Sequence, residues 1–153
     1  MLRKVIIIRH GVYDSSTARL NTIGVRQMEE LVPKIQEHLA GEQNILLVSS
    51  PAPRAEDSAK VLAEKLNLSY QTHEYFWSDK HHSQNNDRAL ELLKSMAKEK
   101  KTSVVVLVTH LEYAEDLPLH ISKDVGKQFV RHREIDKGEM VFLDMENEQC
   151  IFN

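Results

Sequence analysis

The sequence predicts a three-layer α/β/α sandwich, a single domain over residues 1–153 with a mostly parallel central sheet. Three observations carry that expectation. Val5–Ile8, Ile45–Val48 and Val104–Val108 are short runs rich in β-branched residues with no polar alternate face, the pattern of strands covered on both sides. Between these runs, apolar residues recur at helical spacing, and alternating strands and helices build such layers. A chain of 153 residues, 41 % hydrophobic and 28 % charged, matches the size and composition of one globular domain.

The elements follow in order. After the first run, Met28, Leu31, Val32, Ile35 and Leu39 form the apolar stripe of a helix. Asn21 or Thr22 can cap it, Gly41 suits its C-terminal end, and Pro33 predicts a kink. The next helix starts near Pro53 and turns Ala55, Ala59, Leu62 and Leu66 inward. A third runs from about Asp87, with Ala89, Leu93, Met96 and Ala97 inward and the run KEKK (98–101) as its solvated end. After the third strand, LEYAEDLPLHI reads as a short helix interrupted at Pro118. The terminal GEMVFLDMENEQCIF reads as a hairpin of Met140–Asp144 and Gln149–Phe152, turning at Glu146–Glu148.

A formal net charge of −3 gives no broad attraction to nucleic acid or anionic membrane, so neither is an expected partner and any cationic site must be local. Cys150 is the only cysteine, which rules out an internal disulfide. No apolar run approaches the roughly 18 residues of a membrane span, and Arg9 interrupts the N-terminal run before it reaches signal-peptide length. The expected location is cytoplasmic.

The three strands end alike. The first closes in Arg9-His10-Gly11, the second leads into SSPAPRA with Arg54, and the third closes in Thr109-His110. In open α/β sheets, ligands bind in the crevice outside the carboxyl ends of the strands. Each residue alone has a plain explanation: a turn histidine, a surface arginine near a helix start, a turn glycine. Together they suit an anion site and phosphoryl transfer. A guanidinium grips two phosphate oxygens and keeps its charge. A neutral imidazole, favoured beside guanidiniums, can attack phosphorus. A second histidine can donate to the equatorial oxygens. His81-His82 lacks partners at metal-ligand spacing, so no metal and no cofactor are expected.

At these residues the sequence resembles the histidine phosphatase superfamily, also called phosphoglycerate-mutase-like. The marks stand in order: Arg9-His10-Gly11, LNTIGVRQ (20–27), SSPAPRAEDSA (49–59) and VTH (108–110), with IDKGEMVFLD (135–144) similar to the family's closing strand. The chain departs from the usual pattern at Val12-Tyr13, at Asn21 and at Leu111-Glu112. The resemblance implies that His10 is a nucleophile forming a phosphohistidine that water hydrolyses, with Arg9, Arg54 and His110 completing the phosphate pocket.

Family members that act on alcohol phosphates also carry a carboxylic acid that protonates the leaving oxygen. Its usual position falls near Ser78, with Asp79 adjacent and Glu74 further back, so both are candidate acids and equally plain loop charges. An alkoxide leaving group gains about 10²–10⁴-fold from such an acid, whereas an imidazole needs less help. Small, acid-poor members of the SixA kind act on phosphorylated signalling proteins. The expectation is therefore a metal-independent phosphatase acting on a phosphohistidine-bearing protein. The alternatives are a small-metabolite phosphomonoesterase using Asp79 or Glu74, or a phosphate-binding module without turnover. Tyr13 and Ser16, in the loop after His10, are candidate substrate contacts, and Trp77 with Tyr75 and Phe76 offers either a core anchor or a substrate-facing wall.

Overall fold

The computed structural model describes residues 1–78 and 83–153. The chain forms β1 (Lys4–Arg9), α1 (Thr22–His38), β2 (Leu46–Ser49), α2 (Pro53–Leu66), β3 (Tyr70–Thr72), α3 (Asn86–Glu99), β4 (Val104–Thr109), α4 (Leu111–Asp124), β5 (Met140–Asp144) and β6 (Gln149–Phe152). All six strands join one sheet in the order β3-β2-β4-β1-β5-β6. β3, β2, β4 and β1 run parallel, and the β5–β6 hairpin adds two antiparallel strands at one edge. Among the described residues no helix is long and apolar enough to cross a membrane.

The lack of a polar alternate face has a direct structural cause, because successive side chains of a strand point to opposite faces. Ile6 and Ile8 pack with Val106 and Val108 against Met28, Leu31 and Ile35 of α1 and Leu62 of α2. Val5 and Ile7 pack with Val105 and Leu107 against Leu93 of α3 and Tyr113 and Leu117 of α4. Each layer of the sandwich is thus written into alternate residues of the same runs. Leu66 and Met96, expected to face inward, are half-buried at the rims of these cores.

Pro118 departs from expectation. α4 continues without a break through Pro118, which is itself buried among Leu117 and Ile121, so apolar packing outweighs the lost backbone bond. α1 likewise runs unbroken through Pro33. Asn21 is its cap, accepting from the Gly24 amide at 2.9 Å. β3, three residues long and half-exposed, has no pattern from which a sequence reading would find it.

The chain after β1 crosses the start of α1 at very close range. A Cβ on Gly24 would stand 2.1 Å from the Val12 carbonyl oxygen, and one on Gly11 would stand 2.8 Å from the Gly24 Cα. Both glycines therefore answer to space rather than to a turn. Gly24→Ala is expected to lower stability by about 1–3 kcal/mol, the usual range for overpacking against atoms that cannot yield. Urea denaturation checks it, and an unchanged midpoint would show that the two segments separate freely.

Candidate active site

Three parallel strands deliver the site. β1 and β4 are neighbours with Arg9 opposite Thr109, and β2 lies on the far side of β4. The residues just past their carboxyl ends, His10, His110 and the Ser50–Arg54 segment, therefore emerge side by side. β4 returns between β1 and β2, so the connections leave in opposite directions there and a crevice opens. The crevice holds a cavity of about 190 Å³ walled by Arg9, His10, Tyr13, Arg54, Trp77 and His110, with Ser78, Leu111, Glu112 and Lys137 at its sides. Leu111 and Glu112 open the fourteen-residue α4, whose N-terminal dipole favours an anion.

Hydrogen bonds fix the state of each ring. Nδ1 of His10 lies 2.9 Å from the Gly11 carbonyl oxygen, which only accepts, so Nδ1 carries the proton. Nε2 is left with its lone pair in the cavity, where it accepts from Arg54 Nε at 3.2 Å. On His110 the order is reversed. Nδ1 faces Nη2 of Arg54 at 3.4 Å, and a guanidinium only donates. Nε2 then donates to Ser50 Oγ at 2.8 Å, an oxygen that also accepts from the Ala52 amide. Arg54 thus touches both imidazoles from the first turn of α2.

Arg9 is tied back by Nη1, which donates to the Ile135 carbonyl at 2.9 Å, while its buried Nε has no hydrogen-bond partner among the described residues. An unmet buried donor costs about 1–3 kcal/mol, a deficit that an oxyanion removes. The rings themselves are nearly inaccessible to solvent. Burial pushes the His10 pKa down to about 4, and Arg54, Arg9 and Lys137 add repulsion. Burial likewise pushes His110 down to about 3, with His10, Arg54 and Arg9 acting in the same direction.

The supporting residues belong to the motif segments. Ser58 Oγ accepts from the Gly11 amide and donates to the Arg54 carbonyl, linking the turn after β1 to α2. Gln27 accepts from the Val12 amide through Oε1 and donates to the Lys137 carbonyl through Nε2. Thr109 donates to the Phe76 carbonyl at 2.7 Å, which holds the turn that carries Trp77. Phe76 is fully buried as a core anchor, but Trp77 faces the cavity, stacked on His110 at 6.0 Å. The two aromatic neighbours thus divide the roles left open by the sequence.

The other expected contacts divide as well. Tyr13 lies on the wall, edge-on to His10 at 5.4 Å, with the Arg54 guanidinium 4.9 Å above its ring. Ser16 is exposed, bonds to Asp14 and is not on the wall. Glu74 is exposed in the turn Glu74–Phe76 and does not line the cavity. Asp79, with Lys80 and the His81-His82 pair, lies outside the described residues. No cluster of three or more metal-ligating side chains occurs among the described residues. Glu112 and Lys137 were not singled out by the sequence reading. Glu112 stands in the Leu111-Glu112 departure and Lys137 in the IDKGEMVFLD segment, but neither segment's pattern says that the side chain reaches the cavity.

Comparison with known proteins agrees with this arrangement. Residues 5–77 match the model of the histidine phosphatase superfamily (branch 1), a span that includes His10, Gln27 and Arg54. The chain has the fold of the protein histidine phosphatase SixA, solved with tungstate: TM-score 0.71, 19 % identity, covering 98 % of this chain and 94 % of that one. It is similar in the same way to a mycobacterial glucosyl-3-phosphoglycerate phosphatase solved with VO3, at TM-score 0.64 and 15 % identity, covering 99 % and 97 %. No curated protein matches the chain by sequence. Residues 5–77 thus carry the segment of the histidine phosphatase superfamily, and the whole chain has the fold of the phosphatases that it matches.

Both imidazoles titrate below the ordinary value of 6.5, so the unfolded chain binds more protons than the fold between that value and the folded pKa. The fold loses stability as pH falls through about 6.5, and the loss levels off below about 4 for His10 and about 3 for His110. Imidazole NMR resonances of the free protein are expected to titrate near these values, and saturating tungstate is expected to move the His110 midpoint upward. A midpoint near 6.5 for either ring in the free protein would contradict the buried, cation-flanked geometry.

Proposed function

We propose that the protein hydrolyses phosphohistidine on a protein substrate through a phosphoenzyme intermediate on His10. The carrying observation is the unprotonated Nε2 of His10, held by its Nδ1–H bond to Gly11 and facing a cavity that Arg9, Arg54 and His110 line. The lone pair of Nε2 attacks phosphorus, and the bond to the leaving nitrogen or oxygen breaks as the Nε2–P bond forms. Arg54 Nε, which touches Nε2 in the free site, moves its bond to a phosphoryl oxygen. The free Nε of Arg9 and a protonated or re-tautomerised His110 hold the others. Water then attacks phosphorus, the P–Nε2 bond breaks, inorganic phosphate leaves, and one proton passes to solvent. Each step uses only side chains of this chain.

Two features support a protein-borne phosphate. About 190 Å³ is below the roughly 300–1,000 Å³ of sites that enclose small ligands, so the pocket takes a phosphoryl group and leaves the rest of the substrate outside. Tyr13 and Trp77 line its walls with planar rings that suit an imidazole. An imidazole whose other nitrogen is protonated departs as a neutral ring and needs little acid help.

One observation favours a second reading. Glu112 is the one carboxylate on the cavity wall among the described residues, and in that role it would protonate the alkoxide of a small phosphate ester. Phosphate release from a phosphohistidine peptide and from an alkyl phosphate separates the readings. Turnover of the peptide is expected, abolished in His10→Ala, lowered about 10²–10³-fold in Arg54→Ala and unchanged in Glu112→Gln. Better turnover of the alkyl phosphate, with a 10²–10⁴-fold loss in Glu112→Gln, would establish the second reading. Phosphate-ester binding with no release on either substrate would reduce the site to a binding module.

A further inference from the structure

The loop before β5 brings a third cation to the cavity. Lys137 lines the wall, its Nζ stands 5.1 Å from the centre of the Tyr13 ring, and its charge reaches His10. Among the described residues no carboxylate lies within ion-pair distance of it. Glu139, two residues further on, pairs with Arg133 at 3.8 Å.

The backbone that carries Lys137 is held by several bonds. Gln27 donates to the Lys137 carbonyl while accepting from the Val12 amide, so one side chain clamps the loops on both sides of the cavity. The next amide, Gly138, donates to the Arg9 and His10 carbonyls, each at 3.1 Å. Gly138 has φ +80°, and a Cβ there would stand 2.5 Å from the Gln27 side chain, so a glycine is required for the clamp to close. The anchor of Lys137 is fixed to the two residues that define the phosphate pocket, while its four-carbon stem leaves the ammonium exposed at the rim.

Arg9, Arg54 and His110 already offer enough donors for three phosphoryl oxygens. We propose that Lys137 is a specificity-determining contact that takes a second anionic group, a carboxylate or a further phosphate oxygen, carried by the substrate beside the transferred phosphoryl group. The proposal rests on the phosphoryl site described above but not on its turnover. The Lys137 ammonium and the Arg54 guanidinium both lie against the Tyr13 ring, 5.1 and 4.9 Å from its centre. The anion held by Lys137 therefore lies on the Tyr13 side of the cavity.

Binding of a matched pair of non-hydrolysable ligands tests this by calorimetry: phenylphosphonate and 3-carboxyphenylphosphonate. Wild type is expected to bind the carboxylated ligand about threefold to fivefold more tightly, the size of a rim ion pair, and the difference should shrink with added salt. In Lys137→Ala the ratio should fall to about one while phenylphosphonate affinity changes little. Lys137→Arg should keep the preference and Lys137→Glu should reverse it. A ratio of one in wild type, or a ratio unchanged in Lys137→Ala, would overturn the proposal. Loss of affinity for both ligands in Arg54→Ala would confirm meanwhile that the phosphoryl pocket is the site being read. Phosphonate binding that ignores Arg54 would instead contradict the pocket itself.

Discussion

The parallel pairing of β1 with β4 is the constraint on which the site depends. Arg9 sits opposite Thr109, and the His10 amide bonds to the Thr109 carbonyl at 3.0 Å. A hundred residues of chain thereby collapse to a ring–ring distance of 5.1 Å between His10 and His110. β2 joins the far side of β4 through the same kind of bond, Ser50 amide to Val108 carbonyl, and supplies Arg54. No local propensity creates these proximities. They come from apolar side chains on both faces of the central strands, which leave the sheet no other way to be covered.

The same burial governs the chemistry. Two imidazoles and two guanidiniums at one point would repel strongly if all were charged. Removal from water, reinforced by the neighbouring cations, keeps both rings neutral, and carbonyl and hydroxyl acceptors decide where their remaining protons sit. In the proposed function a nucleophile and an anion receptor coexist because burial and the neighbouring cations themselves suppress protonation of His10. The unpartnered Nε of Arg9 and the N-terminus of α4 give the cavity a positive potential that suits an anionic group.

Much of this was legible in the sequence. Strand runs without a polar face gave the layers, and their shared endings placed His10, Arg54 and His110 at one edge, because parallel strands oblige their carboxyl ends to coincide. Arg9 and Tyr13 followed from adjacency to His10. Other features depended on long-range geometry that no period encodes. Pro118 looks like a breaker until the core shows it buried in α4. β3 is too short and too exposed to leave a pattern. Lys137 reaches the cavity only because Gln27 and Gly138 fold its loop over the end of β1. Trp77 stands on the cavity wall next to Phe76, whose carbonyl accepts from Thr109, 33 positions further along the chain.

In the proposed reaction Nε2 of His10 takes the phosphoryl group. Incubation with a phosphodonor, an alkaline quench that preserves phosphohistidine, and mapping of the adduct by mass spectrometry with NMR of the labelled imidazole test it most directly. The geometry predicts one phosphate on His10, attached through Nε2, appearing before inorganic phosphate is released. Release of phosphate with no adduct, or an adduct on His110 or on Nδ1 of His10, would contradict it.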